Sequence, residues 1–85
     1  MYTPQDIERL RDISPLAFGI FQQPRCVIHV PRDALVWLRD EIVLEALVSV
    51  GVTGSEVNPF GVLLEDVIDI INAELFSREG DPSDA

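Results

Sequence analysis

The sequence has 85 residues, of which 47% are hydrophobic, and its formal net charge is −9, from 15 acidic residues against six arginines and no lysine. A chain of this length forms one domain with a small core and buries only roughly 60–65% of the surface that its unfolded form exposes. So acidic a composition argues against direct binding to nucleic acid or to an anionic membrane, since both require cationic groups.

The negative charge is concentrated in the C-terminal half of the sequence. Residues 1–39 carry four acidic residues and five arginines, whereas residues 40–79 carry nine acidic residues and one arginine. Apolar and acidic residues must therefore occupy different surfaces of a small protein. This separation favours a protein that binds a partner, and a basic protein surface is the partner that fits the charge.

The first predicted helix covers residues 4–13. Thr3 is a suitable N-cap, Pro4 suits the first helical position, and Asp6 follows the cap by three residues. We expect the helix to end near Ser14, because a residue that precedes proline avoids the helical region.

Two short apolar runs follow, residues 16–21 and residues 26–30, with four residues between them. The β-branched side chains of the second run favour a strand, so the pattern predicts a small two-stranded β-hairpin. The first run is equally compatible with an irregular apolar segment. Cys26 and His29 in the second run do not predict a metal site, because zinc usually needs four ligands and these two residues supply only two. We therefore expect an ordinary buried cysteine at Cys26 and a half-buried histidine at His29.

A long helix is predicted over residues 31–50, with Gly51 as its C-cap glycine. At 100° per residue, one face of this helix is suited to the core. The residues of that face are Leu35, Leu38, Ile42, Ala46 and Ser49, and Val36, Val43, Leu47 and Val50 widen it on one flank.

A second apolar stripe lies on the far side of the same helix and consists of Trp37, Leu44 and Val48. Its rim is polar and contains Asp40, Glu41 and Glu45. Tryptophan in an apolar patch with a polar rim is typical of an interaction hot spot. Two alternatives stay open: the N-terminal third of the chain covers this stripe, or another protein covers it.

The third predicted helix covers residues 59–78, with Asn58 as N-cap and Pro59 at the first helical position. One broad face is apolar, and the opposite face carries Glu65, Asp66 and Asp69. The predicted fold is mainly α: an antiparallel helical hairpin of residues 31–50 and 59–78, plus a short N-terminal helix and the small β-hairpin. The compact domain should cover residues 1–79, and residues 80–85 should form a disordered acidic tail.

The sequence contains no pattern that predicts catalysis, a cofactor or a metal. Any nucleophile would depend on His29, the only histidine, and the absence of lysine excludes Schiff-base chemistry. The glycines lack the spacing of a phosphate-binding loop, and the calcium-binding EF-hand pattern is missing. We therefore expect a protein that is not an enzyme and has no cofactor.

The acidic helices suggest a specific kind of protein binding. Carboxylates four residues apart, such as Glu41 with Glu45 and Glu65 with Asp69, are about 6 Å apart along a helix, close to the spacing of phosphates in a nucleic-acid strand. A small inhibitor of phage or mobile-element origin could occupy a basic, nucleic-acid-contacting protein surface in this way. A solvated helix face explains the same acids without any partner.

A second hypothesis is a homodimer or higher homo-oligomer, in which the apolar stripe joins copies of a structural or assembly subunit. The single cysteine cannot form an internal disulfide, and the N-terminal residues have no signal-peptide pattern. No apolar run reaches the length of a membrane span. We therefore expect a cytoplasmic protein without membrane contact.

Overall fold

The computed structural model describes residues 2–79, which form a helix-dominated α+β fold. Helices and one small antiparallel sheet are its only regular elements within that range. The prediction of a mainly helical protein with a two-stranded β-hairpin is confirmed. The tail predicted for residues 80–85 lies outside the described residues.

Three short helices form the N-terminal third: α1 (Pro4–Ile13), α2 (Pro15–Gln22) and a 3-10 helix (Pro24–His29). Thr3 caps α1 together with Asp6, as predicted, in a reciprocal capping box. Ser14 then serves two helices. Its backbone N–H donates to the carbonyl of Leu10 at the end of α1, and its Oγ accepts a hydrogen bond from the N–H of Ala17 at 3.2 Å.

The β-hairpin predicted for residues 16–21 and 26–30 is wrong in position. The first run lies in α2 and the second in the 3-10 helix and the residue that follows it, because Ser14 and Pro15 form a helix start and Pro24 begins the next helical turn. The prediction of a buried Cys26 and a half-buried His29 is also wrong. Both residues are exposed on the 3-10 helix.

Residues 32–50 form one continuous helical segment, which we call the central segment. It consists of α3 (Arg32–Trp37), a π-helical turn (Leu38–Val43) and α4 (Leu44–Val50). In the π turn the N–H of Leu44 donates to the carbonyl of Arg39, five residues earlier. One extra residue is therefore inserted into the helix relative to α geometry.

The π turn changes which residues of the central segment reach the core. Leu38 and Val43, five residues apart, are both fully buried, whereas Ile42 is only half-buried and Ser49 is exposed. The centre of the predicted core face is therefore correct up to Leu38 and at Ala46, but in the π turn Val43, predicted on its flank, takes the buried position expected for Ile42.

The small sheet joins the two long helices. Strands β1 (Val52–Thr53) and β2 (Glu56–Val57) pair antiparallel around a two-residue loop. Gly54 in this loop has a φ of 66°, which favours glycine at the first position of the turn.

Helix α5 (Pro59–Glu79) packs antiparallel against the central segment. The amide of Asn58 donates to the carbonyl of Val50 at one end of the pair, and Arg39 Nη1 donates to Asn72 Oδ1 at 2.8 Å near the middle. Helices α1 and α2 pack against α5 as well. The core of these layers consists of Leu10, Ala17, Ile20, Val27, Leu35, Leu38, Val43, Ala46, Phe60, Leu63, Leu64, Val67, Ile71 and Leu75.

The buried polar side chains are hydrogen-bonded. Within residues 2–79, no buried side-chain nitrogen or oxygen lacks a hydrogen-bond partner. The same residues contain no helix whose length and apolar character would let it span a bilayer.

Candidate protein-binding surface

The stripe predicted on the far side of the central segment is open to solvent. Trp37 is 53% exposed, Leu44 43% and Val48 73%. Within residues 2–79, the N-terminal helices therefore leave this side of the central segment uncovered. That a partner covers it stays a prediction.

The π turn breaks the stripe into two parts. Trp37 precedes the turn, whereas Leu44 and Val48 follow it. One inserted residue rotates the later part of a helix by about 100° relative to the earlier part. The three side chains therefore do not form the straight line that an uninterrupted helix would give.

Trp37 instead lies in a groove of about 240 Å³ on the outer side of α3 and the π turn, which we call the tryptophan groove. Asp40 in its wall pairs with Arg39 at 2.9 Å, and Arg32 pairs with Glu79 at 3.2 Å. The groove is lined by Arg32, Asp33, Val36, Trp37, Asp40 and Glu41.

A second groove of about 450 Å³ lies where the end of α1 meets the central segment, and we call it the isoleucine groove. Its apolar lining includes Ile13 from α1, which is 38% exposed, and Val50, which is 39% exposed. Glu41 lines both grooves, so they are neighbours on one surface. The residues lining the second groove are Ile13, Glu41, Ile42, Glu45, Ala46, Ser49 and Val50.

The structure brings some predicted site residues together and separates others. Glu41 and Glu45 share the isoleucine groove, and Asp40 and Glu41 share the tryptophan groove with Trp37. Neither groove includes Leu44 or Val48.

The acidic residues of α5 form a separate surface. Glu65 and Asp69 are exposed and Asp66 is half-buried, and none of the three has an ion-pair partner among residues 2–79. Phe76, which is 77% exposed, was not predicted as a surface residue. Helical periodicity indicates the exposure of Phe76. At 100° per residue it lies about 160° from the buried Phe60, on the same side of α5 as Asp69.

The described residues show no arrangement for metal chemistry. Among residues 2–79, no group of three or more histidine, cysteine or acidic side chains is placed to hold a metal ion.

Comparison with known proteins gives no match for this chain: no family model, no curated protein and no solved structure is significantly similar to it. Its class is defined by the fold alone, a helix-dominated α+β protein. Its surface combines two apolar grooves with acidic walls and a separate acidic helix face.

Proposed function

We propose that this protein is a non-catalytic inhibitor that binds the basic, nucleic-acid-contacting surface of a larger protein. One observation carries the proposal: six carboxylates of the central segment and α5 have no ion-pair partner among residues 2–79, and five of them are exposed. These residues are Asp33, Glu41, Glu45, Glu65, Asp66 and Asp69.

The spacing of these carboxylates supports an interaction with cationic side chains. Acidic residues four positions apart on a helix repel each other and cost a few tenths of a kcal/mol. Glu65 and Asp69 have this spacing on α5, where no arginine of the described residues pairs with them. Lysine and arginine side chains that normally bind phosphates would remove the repulsion and bind the carboxylates at about 6 Å spacing.

Trp37 supplies an apolar anchor for the same partner. Tryptophan at the centre of a rimmed patch contributes strongly to binding energy, while charged rims mainly increase the association rate and the specificity. The half-exposed indole in the tryptophan groove has Asp40 and Glu41 beside it. We propose a cytoplasmic target, and an origin in a phage or mobile element, for which small acidic inhibitors are a suitable product.

Affinity capture from the native host, followed by purification of the captured protein, tests the proposal. The purified target should bind labelled nucleic acid, and the wild-type inhibitor should displace that nucleic acid in a fluorescence polarisation assay. Replacing Glu65, Asp66 and Asp69 by arginine should weaken the displacement at least tenfold, because charge reversal turns attraction into repulsion.

A matched variant separates local recognition from total charge. Glu8, Asp12 and Glu56 are exposed acidic residues outside the two long helices, and their replacement by arginine changes the net charge by the same amount. This control should retain most of the displacement. Equal loss in both variants, or a captured target that binds no nucleic acid, would contradict the proposed function.

A second candidate is a homo-oligomeric structural or assembly subunit. The observation that favours it is that the two most exposed large apolar side chains among residues 2–79, Val48 at 73% and Phe76 at 77%, lie outside both grooves. Sedimentation velocity at micromolar concentration should then show a dimer or larger assembly that dissociates when both residues are replaced by glutamate. Sedimentation of the wild type as a 9.5 kDa monomer throughout the micromolar range would exclude this candidate.

A further inference from the structure

We propose that the tryptophan and isoleucine grooves form one docking surface for a basic amphipathic helix of the partner protein, in a register set by the π turn. This inference rests on the proposed function, because it names the part of the partner that the central segment would bind. It differs from the stripe of Trp37, Leu44 and Val48 in the residues that follow Trp37.

The register follows from helix geometry. In an uninterrupted α-helix, the positions in line with Trp37 would be Leu44 and Val48. The residue inserted at the π turn moves each later position on this side by one, to Glu45 and Ser49. Ser49 and Glu45 do line the isoleucine groove beside Glu41, and Glu41 lines the tryptophan groove.

The floor of this surface is apolar and long enough for a helix. Ile42, which is half-buried, and Ala46, which is buried, form the middle of the floor, and Ile13 contributes from α1. From Trp37 to Ser49 the central segment rises about 18 Å, which is roughly three helical turns. A helix that presents one apolar side chain per turn can therefore place three or four of them along the two grooves.

The charge of the walls identifies the partner as basic. Asp33, Glu41 and Glu45 line the grooves and have no ion-pair partner among residues 2–79. Among residues 2–79, the one arginine that lines either groove is Arg32, which is already paired with Glu79. A helix with lysine or arginine beside its apolar stripe would pair with the three free carboxylates.

The same charges argue against a second copy as the occupant. A symmetric dimer through this surface would bring Glu41 and Glu45 of two copies together, and like charges in an interface are unfavourable. The formal net charge of −9 on each copy adds to that repulsion.

Three synthetic peptides of about 14 residues, long enough for the roughly three turns required, provide the probe. The first has leucines along one helical face and lysines elsewhere, the second has the same residues scrambled, and the third has glutamates in place of lysines. Trp37 is the only tryptophan, so its fluorescence reports on the groove without a label. The first peptide should shift the emission to shorter wavelength and bind at least tenfold more tightly than the other two.

Two neighbouring substitutions test the register. Ser49→Arg places a positive charge in the isoleucine groove, whereas Val48→Arg places the same charge at an exposed position outside both grooves. Ser49→Arg should weaken binding of the first peptide at least tenfold, and Val48→Arg should change it less than twofold. Circular dichroism checks that each variant is folded, and Glu45→Arg serves as a second groove variant if Ser49→Arg is not.

Several results would overturn the inference: no binding of the first peptide, equal binding of the scrambled peptide, or a larger effect of Val48→Arg than of Ser49→Arg. Sedimentation that shows a dimer dissociated by Ser49→Arg would identify a second copy as the occupant instead. Failure of the docking surface can be distinguished from failure of the proposed function. If the captured target still loses nucleic acid to the protein and responds to reversal of Glu65, Asp66 and Asp69, only the docking surface is wrong.

Discussion

Gly61 marks the closest approach between α5 and the end of the central segment. Its backbone N–H donates to Asn58 Oδ1 at 2.8 Å, which caps α5. A Cβ at this position would overlap the carbonyl oxygen of Gly51 and lie 2.6 Å from Cγ1 of Val57. The backbones of the two segments are therefore in direct contact because residue 61 has no side chain.

Gly61→Ala should lower the free energy of unfolding by about 2–3 kcal/mol, because backbone atoms must move to admit the methyl group. Gly19→Ala is the matched control, since a Cβ there meets nothing within 4 Å. That change lies within α2 and should raise the free energy of unfolding by about 0.5–1 kcal/mol. Urea denaturation measures both values, and a neutral Gly61→Ala would contradict the close packing.

Arg78 holds the end of α5 to the N-terminal third of the chain. Its Nη2 donates to the carbonyls of Val27 and Val30, at 2.9 and 2.8 Å, and its Nε pairs with Glu74 at 2.6 Å. The arginine side chain is 26% exposed and that of Glu74 is 17% exposed. These carbonyls belong to the 3-10 helix and the residue that follows it. One guanidinium therefore supplies hydrogen-bond donors for two backbone carbonyls at the end of a neighbouring helix.

Arg78→Ala should lower the free energy of unfolding by about 1.5–3 kcal/mol, the range for hydrogen bonds to a charged group. Arg32→Ala removes an ion pair whose side chains are 57% and 63% exposed, and should cost about 1 kcal/mol or less. Thermal and urea unfolding of both variants provide the comparison. Equal effects of the two substitutions would show that the contacts of Arg78 contribute no more than a surface ion pair.

Proline positions explain why two helix starts are predicted correctly and a third is missed. Thr3 with Pro4 and Asn58 with Pro59 predict helix starts that the structure confirms. Ser14 with Pro15 has the same pattern, but the apolar run after it also fits the first strand of a hairpin. The cap carries the better signal here, because it satisfies the free N–H groups at a helix start whereas a six-residue apolar run fits either structure.

The π turn could not be predicted from the sequence. Ile42 and Val43 are both apolar and β-branched, so either one could enter the core after Leu38. Packing against α5 selects Val43, and the helix accommodates the five-residue step by forming the π turn. Local sequence therefore predicts the helix but not its phase after residue 38.

Deletion of Glu41 should leave the fold intact. A π turn has one residue more than an α turn, so removing one converts it to α geometry and keeps Leu38 and Val43 on the buried side. Circular dichroism should show unchanged helix content, and thermal unfolding should stay cooperative.

Deletion of Glu65 is the control for this experiment. Helix α5 has no π turn, so the deletion rotates one half of its buried face by about 100° relative to the other. This variant should lose cooperative unfolding. If both deletions unfold the protein, the inserted residue is required for the packing of the central segment.

The amino-acid sequence predicts only part of the candidate site. It identified Trp37 and the acidic helix positions, because exposure and charge follow from helical periodicity. It could not predict the isoleucine groove, which joins Ile13 of α1 to Ile42 of the central segment. A groove between distant segments depends on how helices pack. Because residues 16–21 were expected in a strand, the predicted packing contains no α2.

The charge of the whole molecule predicts how binding depends on salt. The molecule carries a formal net charge of −9, so a basic partner experiences its field before contact. Raising the salt concentration from about 0.05 to 0.5 M shortens the Debye length to a few ångströms and should lower the association rate at least tenfold. Stopped-flow measurement with the captured target checks this.

The variant with arginine at Glu8, Asp12 and Glu56 serves as the comparison. It should associate more slowly at low salt but dissociate at the wild-type rate, because its changes lie outside the proposed contacts. An association rate that is independent of salt would rule out electrostatic steering.

The two long helices are fastened differently at their two ends. Backbone contact between Gly51 and Gly61 fixes one end, whereas the far end of α5 is held by the Arg78 side chain. Amide protons near Leu75 should therefore exchange with deuterium sooner than those near Leu64. Local unfolding of α5 would then begin at the end that Arg78 holds.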